Sequence, residues 1–488
     1  MQFGPDSPLA PENVAIDSRR TISSKEGEAV HPKGKYRRDD AIDYDQDRCR
    51  FRSFGAMYEW NYFNEEEERH PLTDANVLYD AFVAARKGSH WKTQVQRFRW
   101  NALREIGKLQ DELTAMWKGE PGAYELSPYS RFEVNERGKR RAITALGMRD
   151  RVVKHALNDN FLIPHIRPHL IYDNGASLKG KGVSFTRNRL IAHLEKFYRK
   201  YGDNDGYIMI MDFSGYYDNI DHRTAMQMIR KYEPDEFARR LTKQAYDSYR
   251  VDVSDLPVEE YERVKNGKFS MVEYRRREHR MGGMRYLYKS LSVGDQTSQI
   301  TAIAFPTPID KIVTIVSGNG LYARYMDDIY VIARTKEELN AIQKRIEHTA
   351  ERLKLIINPR KTKIGRLRDT FTFMQFKYYL RENGHVVVRI NPKTVTRMRR
   401  RLKRMRRQID LGKMRFCKIQ EMFRGWIANY APLMSQKQRD GLIEIYQNLF
   451  GKGLDQWMKS KRIRSRWLTE PNSSEPETER GTSSVKVS

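Results

Sequence analysis

Cysteine is nearly absent from this chain: Cys49 and Cys417 are far apart in 488 residues and form no Cys-x-x-Cys pair. That leaves no material for a disulfide framework or a cysteine-based structural zinc site, so a buried core must hold the fold, and a reducing cytoplasm is the expected setting. Long apolar runs are missing too. No stretch approaches the roughly 20 consecutive apolar residues of a membrane span, and the N-terminal MQFGPDSPLAPEN lacks the basic and apolar regions of a signal peptide. A soluble protein without a membrane partner is expected. Negative charge is scarce: 63 Asp and Glu face 90 Lys and Arg, leaving a formal charge of +27. An excess of that size implies a polyanionic partner, with a ribosomal-type or membrane-surface protein as the alternative that charge alone leaves open.

The length suggests two to four packed units. Residues 1–50 are rich in Pro, Ser, Gly and charge, and bury too little to offset the entropy of ordering, so a mobile arm is expected there. The tail 469–488 has the same character. No internal repeat is visible between them. Over 51–125 apolar residues recur at helical spacing, as in Val77, Leu78, Ala81, Phe82 and Ala84, and in Leu103, Ile106, Leu109 and Leu113. From 126 to 390 strands and helices mix, with YIMIMDF (207–213), YARYMDDIYVIA (322–333) and HVVVRI (385–390) reading as strands. Asn391-Pro392 then opens a helix whose stripe Val395, Met398, Leu402, Met405 and Ile409 faces inward. Its other positions include Lys393, Arg397, Arg400, Arg401, Arg404 and Arg407, a charge density that phosphates would relieve.

The strongest local signal is Tyr325-Met326-Asp327-Asp328 between two strand-like runs, which places adjacent carboxylates at a hairpin turn. Burying that pair without cations would be costly. A third carboxylate, Asp212, ends the apolar run YIMIM. Three such groups suit hard divalent ions that keep positions open for substrate phosphates, as nucleotidyl transfer requires. Asp218 and Asp221 follow the strand and are expected to cap or position helix residues.

At these residues the sequence resembles the reverse transcriptase family, in its prokaryotic branch of group II intron, retron, diversity-generating and phage-defence enzymes. The resemblance runs from about Arg131 to Tyr430. DFSGYYDNIDH resembles the first palm motif and YMDD the catalytic signature. The resemblance implies a metal-holding set of Asp212, Phe213, Asp327 and Asp328, with the three aspartates catalytic. RFEVNERGKRRAITALGMRDRVV (131–153) is similar to a fingers hairpin, implying that Lys139 and Arg141 grip the triphosphate. SLSVGDQTSQ resembles the second motif, with Gly294, Ser298 and Gln299 at the matching positions. LKLIINPRKTKI implies that Lys361 lies near the nucleotide phosphates. FTFMQFKYY resembles a primer-grip hairpin in which Met374-Gln375 replaces the usual Leu-Gly, and RGWIANY resembles a thumb segment. Tyr217 falls where the family places the ring that clashes with a 2′-hydroxyl, implying deoxynucleotide preference. No Cys/His cluster of an HNH endonuclease and no acidic constellation of an RNase H is evident. The charged insertion 246–280 has no functional reading.

The expectation is therefore an α+β right-hand polymerase. It has a helical N-terminal extension (51–125), fingers and a palm of antiparallel sheet backed by helices (126–390), and a basic helical thumb (391–468). Its expected function is RNA-templated DNA synthesis with two Mg2+ ions, Mn2+ being able to substitute. Its partners would be RNA template, DNA product and dNTPs, with a non-coding RNA encoded nearby and a role in anti-phage defence; an oligomer is left open. RNA-dependent RNA polymerase, template-independent terminal transferase and an inactive RNA-binding scaffold are the competing readings.

Overall fold

The computed structural model describes residues 69–136, 138–275 and 282–451. The expected arm 1–50, the start of the helical extension (51–68), the end of the expected thumb (452–468) and the tail 469–488 lie outside the described residues. Among the described residues, no helix is long and apolar enough to cross a membrane.

The described chain starts with helices α1 (Ala75–Arg86), α2 (Thr93–Trp100) and α3 (Ala102–Lys118). The Asp74 carboxylate caps α1 by accepting from the amides of Asn76 and Val77 at 2.7 and 3.1 Å. Leu78, Ala81, Phe82 and Ala85 face inward from α1, while Ala84 is exposed. In α3, Ile106, Leu109 and Leu113 are buried, but Leu103, read as part of the same stripe, lies one turn too early and is 39% exposed.

A hairpin follows, β1 (Ser130–Glu136) and β2 (Lys139–Ala145), paired from Ser130 with Ala145 to Glu136 with Lys139. Helix α4 (Met148–Leu157) packs against α1. Next come α5 (Val183–Tyr201), β3 (Tyr207–Met211), α6 (His222–Tyr232) and α7 (Glu236–Tyr249). Over its described residues the stretch read as a charged insertion (246–280) forms β4 (Val251–Asp252), α8 (Val258–Asn266) and α9 (Met271–Tyr274), and β5 (Tyr286–Leu287), beyond it, pairs with β4. A separate small core of Val251, Val253, Leu256, Val264, Phe269, Tyr274 and Leu287 holds it together.

After α10 (Gln296–Ala304) and α11 (Thr307–Lys311) come β6 (Tyr322–Tyr325), β7 (Asp328–Ala333), α12 (Lys336–Arg352) and β8 (Lys363–Arg366). The central sheet runs β6-β7-β3-β8, antiparallel throughout. Because alternate residues of a strand point to opposite faces, Ile208, Tyr330 and Ile332 join Leu190, Leu194 and Phe197 of α5 in one core, while Met209, Met211, Ile329 and Val331 are buried as well. Both faces are thus covered, which is why these strands read as continuous apolar runs rather than alternating ones.

A second sheet, β9 (Phe371–Phe373), β10 (Phe376–Leu380) and β11 (Val386–Ile390), adds Phe373, Phe376 and Tyr378 to the α5 core. The chain then forms α13 (Pro392–Asp410), α14 (Phe416–Tyr430) and α15 (Gln436–Phe450). Asn391 caps α13, and Met398 and Leu402 pack on Ile419, Phe423, Ile427, Leu442 and Tyr446, with Met405 and Ile409 at the margin. The fold is mixed helix and antiparallel sheet, with the sheets backed by helices.

Candidate active site

Strand β3 ends at Met211 and delivers Asp212, a residue only 5% exposed. Its backbone carbonyl accepts from the Asn358 amide at 2.8 Å, and Phe213, also buried, bridges to Ile357, so the segment after α12 closes over the strand end. The Asp212 carboxylate is gripped from that segment: Lys361 Nζ lies 2.5 Å from Oδ2, and Asn358 Nδ2 donates to Oδ1 at 3.3 Å. Among the residues implied for phosphate contact, Lys361 is therefore already paired with a carboxylate.

The β6–β7 hairpin is closed by a two-residue turn, since Tyr325 pairs with Asp328. Tight hairpin turns call for positive φ, and Met326 adopts φ 56 where a β-carbon is disfavoured. What holds it is buried below. Arg324, fully buried, donates from one guanidinium nitrogen to the Met326 carbonyl at 3.2 Å, and its Nε and second nitrogen bind both oxygens of buried Asp310 at 2.8 and 2.7 Å. Tyr322 adds a hydroxyl to Asp310 at 2.6 Å, and the Ile303 carbonyl accepts from Arg324 at 2.9 Å. Burial would lower the Arg324 pKa, but Asp310 beside it holds it above its ordinary value. Neither residue was singled out from the sequence. The available signal was Arg324 as the one cation in the apolar run YARYMDDIYVIA.

Asp327 and Asp328 ride on this turn. Burial raises the pKa of Asp327, and the Asp212 charge raises it further against Lys361 and Lys139. Burial pushes Asp328 up to about 7, with Asp327 and then Asp212 adding repulsion against the same two lysines. Three carboxylates from two chain segments thus repel one another in a half-dry site. Among the described residues, no three His, Cys, Asp or Glu side chains are gathered in metal-holding geometry. The donor chemistry nevertheless fits a divalent cation, because all three groups are hard oxygen ligands whose mutual repulsion a doubly charged ion would relieve.

The β1–β2 hairpin reaches this site electrostatically: Lys139 lowers the pKa of both turn aspartates, and Arg141 acts on Tyr217. Arg141 itself pairs with Glu136 at 3.2 Å, both half-exposed. Burial raises the Tyr217 pKa, the Asp327 charge raises it further, and Arg141 opposes both.

Gly294 lies at φ 110, and a β-carbon there would stand 3.1 Å from the Thr144 carbonyl of β2. The Thr144 amide in turn donates to the Val293 carbonyl at 3.2 Å. A cavity of about 470 Å³ opens beside it, lined by Arg151, Lys154, Tyr217, Gly294, Asp295 and Gln299 among others. Ser298, expected here, is fully buried and does not line it. Nothing in the sequence marks a pairing of Asp295, inside SLSVGDQTSQ, with Lys154. Asp295 caps α10 through the Thr297 amide at 3.0 Å and pairs with buried Lys154 at 3.3 Å.

Asp221 caps α6 through the Thr224 amide at 2.9 Å. Asp218 accepts from the Met271 amide at 3.3 Å, and burial pushes its pKa up to about 6. Asn219 donates to the Phe269 carbonyl at 3.2 Å and accepts from the Phe269 amide at 2.9 Å, tying the insertion to the loop after Asp212. The Met374-Gln375 turn adopts φ 55 at Met374, and Tyr430 donates to the Gln375 side chain at 3.4 Å. Lys393, Arg397, Arg400, Arg401, Arg404 and Arg407 are all exposed on α13, away from its packed stripe. Arg397 also donates to Thr394 Oγ1 at 3.0 Å.

Comparison with known proteins adds a family. A model described as reverse transcriptase (RNA-dependent DNA polymerase) matches residues 133–378. No curated protein matches. Among solved structures, apo telomerase from Candida tropicalis truncated from its C-terminal domain is 13% identical over 59% of this chain and 59% of that one, with a TM-score of 0.34. The chain thus spans about three fifths of that structure's length. Telomerase from Candida albicans in complex with a fragment of telomeric RNA is 9% identical over 70% of this chain and 66% of that one, with a TM-score of 0.37. Apo telomerase from Candida tropicalis is 12% identical over 76% and 71%, with a TM-score of 0.39.

Proposed function

This chain belongs to the reverse transcriptase family, and on that premise we propose that it synthesises DNA on an RNA template, with Asp212, Asp327 and Asp328 as its catalytic carboxylates. The observation that carries the reading is the pairing of Met211 with Ile329, which sets Asp212 at the end of β3 next to the β6–β7 turn that bears Asp327 and Asp328. Asp212, Asp327, Asp328 and the Phe213 backbone would hold two Mg2+ ions, which when bound would supply charge neutralisation and activation of the primer 3′-hydroxyl.

The chain's own residues do the rest. Lys139 and Arg141, on a hairpin exposed on both faces, meet the triphosphate and offset the charge that develops on it. Lys361, ion-paired with Asp212 in this structure, exchanges that partner for a phosphate oxygen. The Tyr217 ring closes the sugar site against a 2′-hydroxyl, a steric filter that needs no polar partner. Gly294 lets the backbone approach template and incoming nucleotide beside Gln299. The exposed cations of α13 track the phosphates of the duplex, so 126–390 serves as fingers and palm and the helices from 391 as thumb.

The motif DFSGYYDNIDH and the Thr-Ser-Gln form of the second motif support placement in the prokaryotic branch, where copying a dedicated non-coding RNA in anti-phage defence is the role we favour. To test it, wild type and the Asp327→Ala, Asp328→Ala double variant are purified from the native host carrying the native locus, and bound RNA and DNA are sequenced. The proposal expects complementary DNA to one bound RNA with wild type alone. The same RNA on both proteins, with DNA on neither, would make the chain an RNA-binding scaffold.

A further inference from the structure

The segment 86–104 carries six cations, Arg86, Lys87, Lys92, Arg97, Arg99 and Arg104, and no Asp or Glu. It also carries the most exposed tryptophans among the described residues: Trp91 is 68% exposed and Trp100 80%. In α2, Val95 and Phe98 are buried, which by helical periodicity turns Thr93, Gln96, Arg97 and Trp100 to the opposite side. Lys87, Lys92, Arg97 and Arg104 are exposed in the same segment, and Lys92 Nζ stands 5.8 Å from the Trp91 ring centroid. Helix α2 itself adjoins the base of the β1–β2 hairpin, because Gln94 Nε2 lies 3.5 Å from where a β-carbon on Gly147 would sit.

We propose that this face binds single-stranded RNA, with Trp91 and Trp100 stacking on unpaired bases and the surrounding cations taking the backbone phosphates. The inference rests on the polymerase reading only for the choice of RNA. Two exposed indoles in one short cationic segment offer flat faces for stacking, and every base has a π-face to meet them. A protein partner of ordinary kind would meet few charges at the centre of its interface, whereas here every ionised group is cationic. An eight-residue helix that already commits Val95 and Phe98 inward has too little apolar surface left to lie in a membrane interface. Trp91 immediately precedes Lys92, the N-cap of α2, and Trp100 is the last residue of that helix, so the two rings flank one short helix within reach of one continuous strand.

The test measures affinity of the full chain for a fluorescent unstructured RNA oligonucleotide, without nucleotides, at several salt concentrations. Trp91→Ala with Trp100→Ala is expected to weaken binding about tenfold or more without changing the salt slope, while the double Phe variant stays near wild type because a ring still stacks. Arg97→Ala with Arg104→Ala is expected to flatten the salt slope. Thermal melts of the variants confirm folding, and the Phe and Arg variants keep the test decisive if the alanine variant unfolds. Unchanged affinity in the alanine variant would overturn the proposal, as would tryptophan-dependent flotation with anionic vesicles alongside unchanged RNA binding. Primer extension on a short preformed duplex is run on the same proteins: synthesis with tryptophan-independent RNA binding sinks this surface alone, and tryptophan-dependent binding without synthesis sinks only the polymerase reading.

Discussion

Arg324 and Asp310 form a two-pronged ion pair, both residues fully buried, and the same guanidinium holds the Met326 carbonyl of the turn that carries Asp327 and Asp328. Removing one partner leaves an uncompensated buried charge, at a cost of roughly 3–5 kcal/mol, whereas replacing both with apolar residues costs less. Arg324→Met and Asp310→Leu should each lower the urea midpoint strongly, and the double variant should recover much of the loss while remaining poor in nucleotide addition because Met326 is no longer held. Denaturation curves and primer extension on all three check this; equal stability of the single and double variants would contradict it.

A pH dependence follows from Asp218, whose folded pKa of about 6 lies above the ordinary carboxylate value. Below about pH 3 the group is protonated in both states and costs nothing. As pH rises toward 6 the unfolded chain gains by ionising while the folded one does not, so a penalty on the order of 1–3 kcal/mol accrues and is complete above about 6. Asp218→Asn should therefore stabilise the protein at pH 8 and leave it unchanged near pH 3. Melting temperatures across that range decide it.

The visible parts of the site share one physical trait: they are local. Asp212 and the Asp327–Asp328 pair end apolar runs, and a carboxylate at a strand end or turn stands out against them. The Arg324–Asp310 and Lys154–Asp295 pairs were invisible because each joins residues 14 or more positions apart, and a charge in a strand-like run reads as surface until its partner is known. The insertion was opaque for a related reason: its core residues are scattered through charged sequence and bury only when β4 pairs with β5. Phe213, Lys139 and Tyr217 could be named only by resemblance, since nothing in their spacing says what they face.

Tyr217→Ala should relax the sugar filter, raising ribonucleotide use relative to deoxynucleotide about tenfold or more in kcat/KM, with little change for the deoxynucleotide. Single-nucleotide addition with matched dNTP and rNTP pairs measures the ratio. An unchanged ratio would make the ring a packing element.

Gly294→Ala should lower stability by roughly 1–3 kcal/mol, since its φ of 110 and the Thr144 carbonyl 3.1 Å away both oppose a β-carbon. Nucleotide addition should fall further than the loss of folded protein explains, because β2 carries the hairpin cations. Activity normalised to the folded fraction separates the two effects.

The central claim is that Asp212, Asp327 and Asp328 carry RNA-templated DNA synthesis. Its most direct test is extension of a labelled DNA primer on a defined RNA template by purified wild type, Asp212→Ala and Asp327→Ala, with dNTPs and Mg2+. The account predicts template-dependent extension by wild type, abolished by either substitution and by chelation of the metal. Extension that persists in both variants, or wild-type addition that ignores the template or takes only ribonucleotides, would contradict it.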